Sequence, residues 1–268
     1  IKHPKAKWAV RFLLFTGTFI SMFFVPWILV KAWIMPLPDS IQGQVDEAIG
    51  YGFDGMIVYV DQVGKAPQFY SGGWKDREAK IPADPQALFK IASISKLYTA
   101  VAATKLVKEG RLSFDRVLTD YLPELKGRIE YAEDITLKMM VQHRSGIPNF
   151  TDHPTFWKNE SESNSDPLSY ALDLPANFKP DENYGYSNTN YLLLRKIMDQ
   201  VLGYPHQDYI KEKILIPLDL KQTFFSIEEV DLRAVMSGYY VGYDQDFKSR
   251  DYGMLATAQD VGTFIRAL

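Results

Sequence analysis

The sequence predicts an α+β protein that combines an antiparallel sheet, a helical region and one N-terminal transmembrane helix. Three features support this prediction: a long uncharged segment near the N-terminus, a pair of strand-like segments after it, and a helical middle. Early strands followed by helices are typical of a helical region inserted into a sheet domain. The chain has 268 residues, 46% of them hydrophobic, which is enough apolar material for a core of its own.

The uncharged segment Phe12–Val30 predicts a membrane anchor over residues 12–34. As a helix this segment is roughly 28 Å long, close to the ~30 Å hydrocarbon core of a bilayer. Pro26 is expected to kink the helix, which membrane helices tolerate. A cleaved signal peptide would have a shorter apolar core and a cleavage site, and a buried core helix would be shorter and more amphipathic. We therefore favour an uncleaved anchor.

The charges on either side of the anchor predict its orientation. Basic residues precede it and mostly acidic ones come after it: Lys2, Lys5, Lys7 and Arg11 before, then Lys31, Asp39, Asp46 and Glu47. Basic loops stay on the cytoplasmic side of a membrane. We therefore expect residues 1–11 in the cytoplasm, a stalk over 35–44, and an extracytoplasmic domain over 45–268.

Local patterns predict the elements of this domain in order. The β-branched run Gly55–Val60 predicts a strand, and Pro67–Trp74 predicts its hairpin partner. Ser93–Glu109 predicts a helix that is apolar on nearly all sides and therefore buried, with Gly110 as its stop. Further helices are predicted over Ile135–His143, Thr189–Gly203, 205–218 and 257–268. The polar segment Lys158–Pro167 predicts a surface loop.

The composition excludes several classes of protein. Without cysteine, the chain has no disulfides, thiol nucleophile or cysteine-ligated metal. Its four histidines do not have the spacing of a zinc motif. The formal net charge of −3 gives no indication of a nucleic-acid partner, which would normally need a basic face. We therefore expect no cofactor, no metal and no nucleic-acid partner.

Ser93 and Lys96 form the one S-x-x-K pattern in the chain and are the first candidate catalytic pair. Residues i and i+3 of a helix share a face, so the amine can reach the hydroxyl. Near a helix N-terminus, free N–H groups favour a developing negative charge. A hydroxyl becomes a nucleophile when a neighbouring base, which can be a lysine, takes its proton. In the alternative interpretation, Ser93 only caps the helix and Lys96 points to solvent.

Tyr186 and Asn188 form the one Y-x-N pattern and are the second candidate pair. A phenol beside an ammonium ionises more readily and can carry protons, and a carboxamide can orient both a lysine and an amide-bearing substrate. A turn rich in tyrosine and asparagine is the alternative. No G-x-S-x-G elbow occurs in the chain, and we interpret His143 as a structural hydrogen-bonding residue.

With these motifs in this order, the chain resembles the serine β-lactamase and penicillin-binding-protein superfamily. The resemblance is closest to a class C-like branch that contains β-lactamases, D-alanyl-D-alanine peptidases and related esterases. It covers about residues 45–268, through the segments LFKIASISKLYTA, LVKEGRLSFDRVLTDYLPEL, ITLKMMVQHRSGIP, YGYSNTNYLLLRKI, IKEKILIPLDLKQTFF and YGMLATAQDVGTFIRAL. It implies a β-lactamase-like antiparallel sheet with a helical region, and acyl transfer through a serine ester followed by hydrolysis.

The resemblance also implies a role for each candidate residue. Ser93 is similar to the acylated nucleophile, Lys96 to its activating base, and Tyr186 to the proton shuttle. Asn188 is similar to the side chain that contacts the lysine and the amide of the substrate. The backbone N–H of Ser93 is expected to donate to the oxyanion. The family's third motif, K-T-G or H-x-G on an edge strand, does not occur in the chain. We expect it, and the C-terminal strands, beyond Leu268; the alternative is a natural degenerate homologue that lacks the motif.

The leading hypothesis is a single-pass serine hydrolase of the bacterial cytoplasmic membrane with a periplasmic catalytic domain. The expected substrates are a β-lactam, a peptidoglycan-type peptide that ends in D-alanine, or a small ester. The alternative is a non-catalytic membrane-anchored acyl receptor or scaffold of the same fold, which would deacylate too slowly to turn over.

Overall fold

Small antiparallel sheets and a group of helices make up the computed structural model, which describes residues 4–156, 166–239, 246–250 and 253–268. The strands are β1 Gly55–Val60, β2 Gln68–Asp76, β3 Ile81–Pro82, β4 Phe89–Lys90, β5 Thr223–Phe224 and β6 Leu255–Ala256. The helices are α1 Pro4–Met22, α2 Trp27–Ile34, α3 Ile41–Gly50, α4 Ser95–Lys108, α5 Leu118–Tyr121, α6 Leu137–Val141, α7 Asn188–Leu202, α8 His206–Ile210 and α9 Ala258–Arg266. This mixture of helices with small antiparallel sheets agrees with the predicted α+β class.

The N-terminal apolar segment is not the single continuous helix that the sequence predicted over 12–34. It forms α1 and α2, whose axes are bent by 78°. Pro26 accounts for the break, since it has no N–H to donate and its ring clashes with the preceding turn. Among the described residues, no single helix is both long and apolar enough to cross a bilayer, although the bent pair together meets the length and composition requirement.

β1 and β2 form the predicted hairpin. They pair antiparallel, from Gly55 opposite Gly73 to Val60 opposite Gln68. Gly73 has a φ of +72°, and a Cβ atom there would lie 2.3 Å from the carbonyl oxygen of Asp54, so only glycine fits. Helix α3, which begins within the segment 35–44, packs on β2 and β1, and α9 packs on β1.

A second sheet, which the sequence did not predict, has the order β4-β6-β5. Each of its strands is two residues long, too short to leave a pattern of alternating side chains. In this sheet Phe89 pairs with Ala256, and Lys90 with Leu255. The residues just before the S-x-x-K pattern are thereby fixed to a segment far along the chain.

Helix α4 lies in the middle of the helical region, as its apolar sequence predicted. Its buried residues include Tyr98, Ala102 and Leu106, and it packs against α7 and α8. At the end of α7, Gly203 is left-handed with a φ of +77°, so the helix ends at the glycine that closes the predicted range Thr189–Gly203. Two other predictions need adjustment: α6 is shorter than Ile135–His143, and the helix expected over 205–218 is α8 followed by the π-helical turn Lys211–Leu215. Most of the predicted loop Lys158–Pro167 lies outside the described residues.

Candidate active site

Ser93 lies in a short 3₁₀ turn, Ala92–Ile94, immediately before α4. Ala92 has a φ of +44°, a conformation that an alanine adopts only at some cost in strain. The turn is held on both sides: Ile91 donates its N–H to the carbonyl of Met254 at 3.0 Å, and Ile94 donates to the carbonyl of Ile91 at 2.9 Å. As a result, Ser93 is exposed beside the first turn of the helix.

Lys96 is one turn further along and donates from Nζ to Ser93 Oγ at 3.0 Å. The side chain is half-buried, and aromatic rings surround its ammonium group. Nζ lies 5.1 Å from the centre of the Tyr186 ring and 5.8 Å from that of Tyr191. This arrangement places the amine against the serine hydroxyl, as the i, i+3 spacing predicted.

Tyr186 approaches the same hydroxyl from the extended segment before α7. Its phenol oxygen lies 2.8 Å from Ser93 Oγ. Burial alone would raise the pKa of this phenol, but the hydrogen bonds from Lys96 and Ser93 and the charge of Lys96 lower the pKa below its usual value of 10.0. Tyr186 remains 43% exposed, so the reacting groups can be reached from solvent.

Asn188 is the first residue of α7. Its Oδ1 lies 3.5 Å from the phenol oxygen of Tyr186, at the outer limit of a hydrogen bond. Its Nδ2 donates to Asn149 Oδ1 at 3.1 Å and to Thr151 Oγ1 at 3.2 Å. Within the described part of the chain, no hydrogen bond joins Lys96 to Asn188.

His143 packs against the ring of Tyr186 and accepts hydrogen bonds from the backbone on either side of it. Its Nδ1 accepts the N–H of Ser187 at 3.2 Å, and its carbonyl oxygen accepts the N–H of Gly185 at 2.9 Å. Its ring centre is 4.5 Å from that of Tyr186. Burial, followed by the charge of Lys96, lowers the pKa of His143 below 6.5, which favours a neutral ring at pH 7. These contacts hold the backbone on both sides of Tyr186, in agreement with the interpretation of His143 as a structural hydrogen-bonding residue.

The sequence analysis did not identify Asn149 and Thr151, although both touch Asn188. They lie in the loop after His143, nearly forty positions before Asn188. A polar loop residue has no periodic or motif signal of its own, so nothing in the sequence distinguished this pair from other surface residues. Arg195, on α7, was also not identified; it donates to Ser95 Oγ at 3.4 Å at the start of α4.

Chemically, the arrangement can activate a hydroxyl. One oxygen nucleophile has an amine at 3.0 Å and a phenol at 2.8 Å, so there are two routes for its proton. Within the described residues, no group of three or more acidic or histidine side chains could hold a metal ion.

Comparison with known proteins agrees with this arrangement. The β-lactamase family model matches residues 39–268. A β-lactamase of Pseudomonas fluorescens is 31% identical over 191 residues, which cover 71% of this chain and 50% of that protein. Protein flp of Staphylococcus aureus strain MW2 is 29% identical over 195 residues, covering 70% of this chain. The chain spans only 39% of the length of that relative.

Among solved structures, the D-amino acid amidase of Ochrobactrum anthropi SV3 superposes with a TM-score of 0.72 at 25% identity. The superposition covers 85% of this chain and 68% of the amidase. The solved structure is thus named an amidase, and the P. fluorescens relative a β-lactamase. By its matched residues and its shared fold, the chain belongs to the β-lactamase family.

Proposed function

We propose that the protein is a serine hydrolase that transfers an acyl group to Ser93 and then releases it to water. One observation carries the proposal: Ser93 Oγ lies 2.8 Å from the phenol of Tyr186 and 3.0 Å from the amine of Lys96. A serine that only capped a helix would not need both groups. The names of the amidase and β-lactamase relatives support the same class of reaction.

The proposed reaction begins with the proton of Ser93. Unprotonated Lys96 removes it, and Oγ forms a bond to the substrate carbonyl carbon. The carbonyl oxygen becomes an oxyanion, to which the backbone N–H of Ser93 donates. When the intermediate collapses, the bond to the leaving group breaks and Tyr186 gives the departing atom a proton. Lys96 then returns its proton to Tyr186, and Ser93 is left as an ester.

Deacylation runs through the same groups in the opposite direction. Tyr186 first passes its proton back to Lys96. Water enters where the leaving group was, loses its proton to the Tyr186 phenolate, and attacks the ester carbonyl. Ser93 Oγ departs and regains a proton from Lys96. The lowered pKa of Tyr186 suits both steps, because proton transfer is most efficient when donor and acceptor have similar pKa values.

The proposed substrates are carbonyl compounds that can acylate a serine: a β-lactam, a peptide that ends in D-alanine, or a small ester. The P. fluorescens relative is named a β-lactamase and the O. anthropi neighbour a D-amino acid amidase. The exposed position of Ser93 and the open face of Tyr186 are compatible with a substrate that approaches from solvent.

We propose in addition that α1 and α2 anchor the protein in a bacterial cytoplasmic membrane, with the catalytic domain in the periplasm. Large apolar side chains cover both helices and are exposed, and α2 has no buried residue. The most exposed of them include Trp8, Phe15 and Trp33, and the side chains of Phe23 and Phe24 between the two helices are exposed as well. An apolar surface of this kind is expected to be covered by lipid or by another protein.

The function can be tested by labelling the full-length protein with a fluorescent penicillin and with an activated ester, then mapping the adduct by mass spectrometry. We expect the adduct on Ser93 and complete loss of labelling in Ser93→Ala. Ser95→Ala is the matched control, because Ser95 lies two residues away and faces Arg195 instead of Tyr186. Labelling that survives in Ser93→Ala would refute the assignment.

The time course of the same assay separates the two proposals for the fate of the acylated serine. Sustained product release indicates a hydrolase that turns over. A burst of one equivalent without a steady-state phase would instead indicate the membrane-anchored acyl receptor.

A further inference from the structure

The N–H, the carbonyl and the carboxylate of Asp181 are all bound by one residue, Arg144. The N–H of Asp181 donates to the carbonyl oxygen of Arg144 at 2.9 Å. In the opposite direction, the guanidinium of Arg144 donates from Nε to Asp181 Oδ1 and from Nη2 to the carbonyl oxygen of Asp181. Asp181 is left-handed with a φ of +64°, a conformation that aspartate adopts more readily than most residues. The backbone at position 181 is thus fixed to position 144.

Phe178, three positions earlier, fits between two glycines. A Cβ atom on Gly146 would lie 2.0 Å from the carbonyl oxygen of Phe178, and a Cβ atom on Gly185 would lie 2.7 Å from its ring carbon Cε1. Only residues without a side chain allow such close approaches. Segment 177–181 therefore packs directly against the residue that precedes Tyr186.

The backbone next to Arg144 holds both neighbours of Tyr186. Arg144 follows His143, whose carbonyl oxygen accepts the N–H of Gly185 at 2.9 Å and whose Nδ1 accepts the N–H of Ser187 at 3.2 Å. Tyr186 itself lies in the segment before α7, outside any helix or strand. Its position therefore depends on these contacts, and the contact between positions 144 and 181 fixes the segment where it begins.

We propose that Arg144 and Asp181 are positioning residues that keep the phenol of Tyr186 within reach of Ser93 and of the leaving group. This inference rests on the proposed function, because it concerns the proton that Tyr186 gives to the leaving group. The two residues act through the backbone that connects Asp181 to Tyr186. Both side chains are partly exposed, so the ion pair should contribute little to the free energy of unfolding, and its loss should be seen mainly in the reaction.

A second pair of the same design provides a matched control. Arg128 donates to the two carboxylate oxygens of Asp173 at 2.7 and 2.8 Å, and the N–H of Asp173 donates to the carbonyl oxygen of Arg128 at 2.7 Å. Asp173 is also left-handed, with a φ of +60°. It lies thirteen positions before Tyr186, whereas Asp181 lies five positions before it. Loss of the Arg128 pair should therefore leave Tyr186 in place.

The test compares kcat/KM of the full-length protein for the amide and for the p-nitrophenyl ester of N-acetyl-D-alanine. The amine needs a proton from Tyr186 to leave, whereas p-nitrophenolate does not. A smaller folded fraction lowers both values equally, so the ratio of amide to ester reports the proton donor and not the stability. In Arg144→Met we expect this ratio to fall about tenfold, because a displaced general acid loses much of its effect. In Arg128→Met the ratio should stay at the wild-type value.

Two further variants separate positioning from a general structural role. Asp181→Asn still adopts the left-handed turn and still offers an oxygen to Nε of Arg144, so its ratio should stay near that of the wild type. In a Tyr186→Phe protein, Arg144→Met should lower the ratio no further, because the group that it positions is already gone.

An unchanged ratio in a folded Arg144→Met protein would overturn the inference, as would a further fall in the Tyr186→Phe protein or an equal fall in Arg128→Met. If Arg144→Met does not fold, Asp181→Gly decides, because glycine keeps the left-handed turn without the carboxylate; an unchanged ratio there contradicts the proposed role. A wild-type protein that is acylated by the ester and not by the amide also contradicts it. Absence of an adduct on Ser93 with the ester would instead refute the proposed function itself.

Discussion

Three polar groups from two parts of the chain meet in the candidate site: the hydroxyl of Ser93, the amine of Lys96 and the phenol of Tyr186. The amine of Lys96 comes from the same helix turn, and the phenol of Tyr186 comes from a segment nearly a hundred residues later. The two groups have separate tasks in the proposed reaction: Lys96 activates the nucleophile, and Tyr186 protonates the leaving group. Substrates that differ in their leaving group can therefore separate them.

Tyr186→Phe should slow acylation by an amide far more than acylation by an activated ester. An amine leaves only when it is protonated, whereas the phenolate of an activated ester leaves without a proton. Loss of a general acid costs about 10²- to 10⁴-fold, so we expect a drop of that size in kcat/KM for the amide. Equal losses for both substrates would contradict the shuttle role.

The pH profile provides an internal check on this assignment. The proton-donating form of Tyr186 exists below its pKa and is lost as the pH rises through it. The pKa of Tyr186 is lowered from 10.0. As the pH rises, amide hydrolysis by the wild type should therefore begin to decline before pH 10 is reached. The same alkaline decline should be missing from the residual activity of Tyr186→Phe.

The relation between Ser93 and Lys96 was predictable, because three positions along a helix fix which side chains meet whatever the rest of the fold does. The closeness of Tyr186 was inferred from the resemblance and not from local pattern. Asn149 could not have been found in this way. Its side chain accepts a hydrogen bond from the backbone N–H of Asn188, which becomes its neighbour only in the folded chain.

At the scale of elements, the 3₁₀ turn before α4 was the main departure from the predicted helix over Ser93–Glu109. The left-handed Ala92 prevents the helix from starting earlier and turns the serine out of the helical hydrogen-bond pattern. Alanine has no sequence signature for such a conformation, which glycine or asparagine usually signals. The strain is balanced by the backbone bonds that Ile91 and Ile94 make.

Ala92→Val should therefore lower both stability and acylation. A β-branched side chain tolerates a φ of +44° poorly, and we expect a loss of about 1–2 kcal/mol in the free energy of unfolding. Acylation should fall as Ser93 moves away from Tyr186. Urea unfolding and the penicillin-labelling rate measure the two effects.

Ala92→Gly is the matched control for this change. Glycine adopts the turn without strain but gives the unfolded chain more freedom, so stability should stay near that of the wild type. Labelling by the glycine variant should also be retained. A valine variant that matched the glycine variant in both measurements would show that the left-handed turn is unimportant.

At the scale of the whole molecule, α9 joins the first sheet to the helical region. Its Phe264 stacks on Tyr98 of α4 with ring centres 3.8 Å apart. On the sheet side, Gly262 lies against Tyr59 of β1, where an added Cβ would be 2.5 Å from the ring carbon Cδ1. The absence of a side chain at 262 is what allows the close approach between helix and sheet.

Gly262→Ala should destabilise the protein, although the same change in an exposed helix usually stabilises it by about 0.5–1 kcal/mol. Overpacking against the Tyr59 ring is expected to cost about 1–3 kcal/mol. Gly50→Ala in α3 is the control, because nothing lies within 4 Å of a Cβ built there. Thermal unfolding should shift in opposite directions for the two variants. A Gly262→Ala protein that is stabilised like Gly50→Ala would contradict the close contact.

The fold as a whole was predictable where long segments have a clear period, as in α4, α7 and the β1–β2 hairpin. It was not predictable in the sheet β4-β6-β5, whose two-residue strands are defined by their partners alone. The bend between α1 and α2 was expected as a kink at Pro26, but no sequence pattern indicated its size of 78°.

The second sheet also has a consequence for synthesis. The turn that holds Ser93 is tied to Met254 and, through β4, to Leu255 and Ala256, so the serine is translated some 160 positions before the segment that fixes its surroundings. While the ribosome is still adding the intervening residues, the growing chain lacks the backbone that keeps Ala92 left-handed. Reactivity toward acyl compounds should consequently appear late, after most of the domain has emerged and folded.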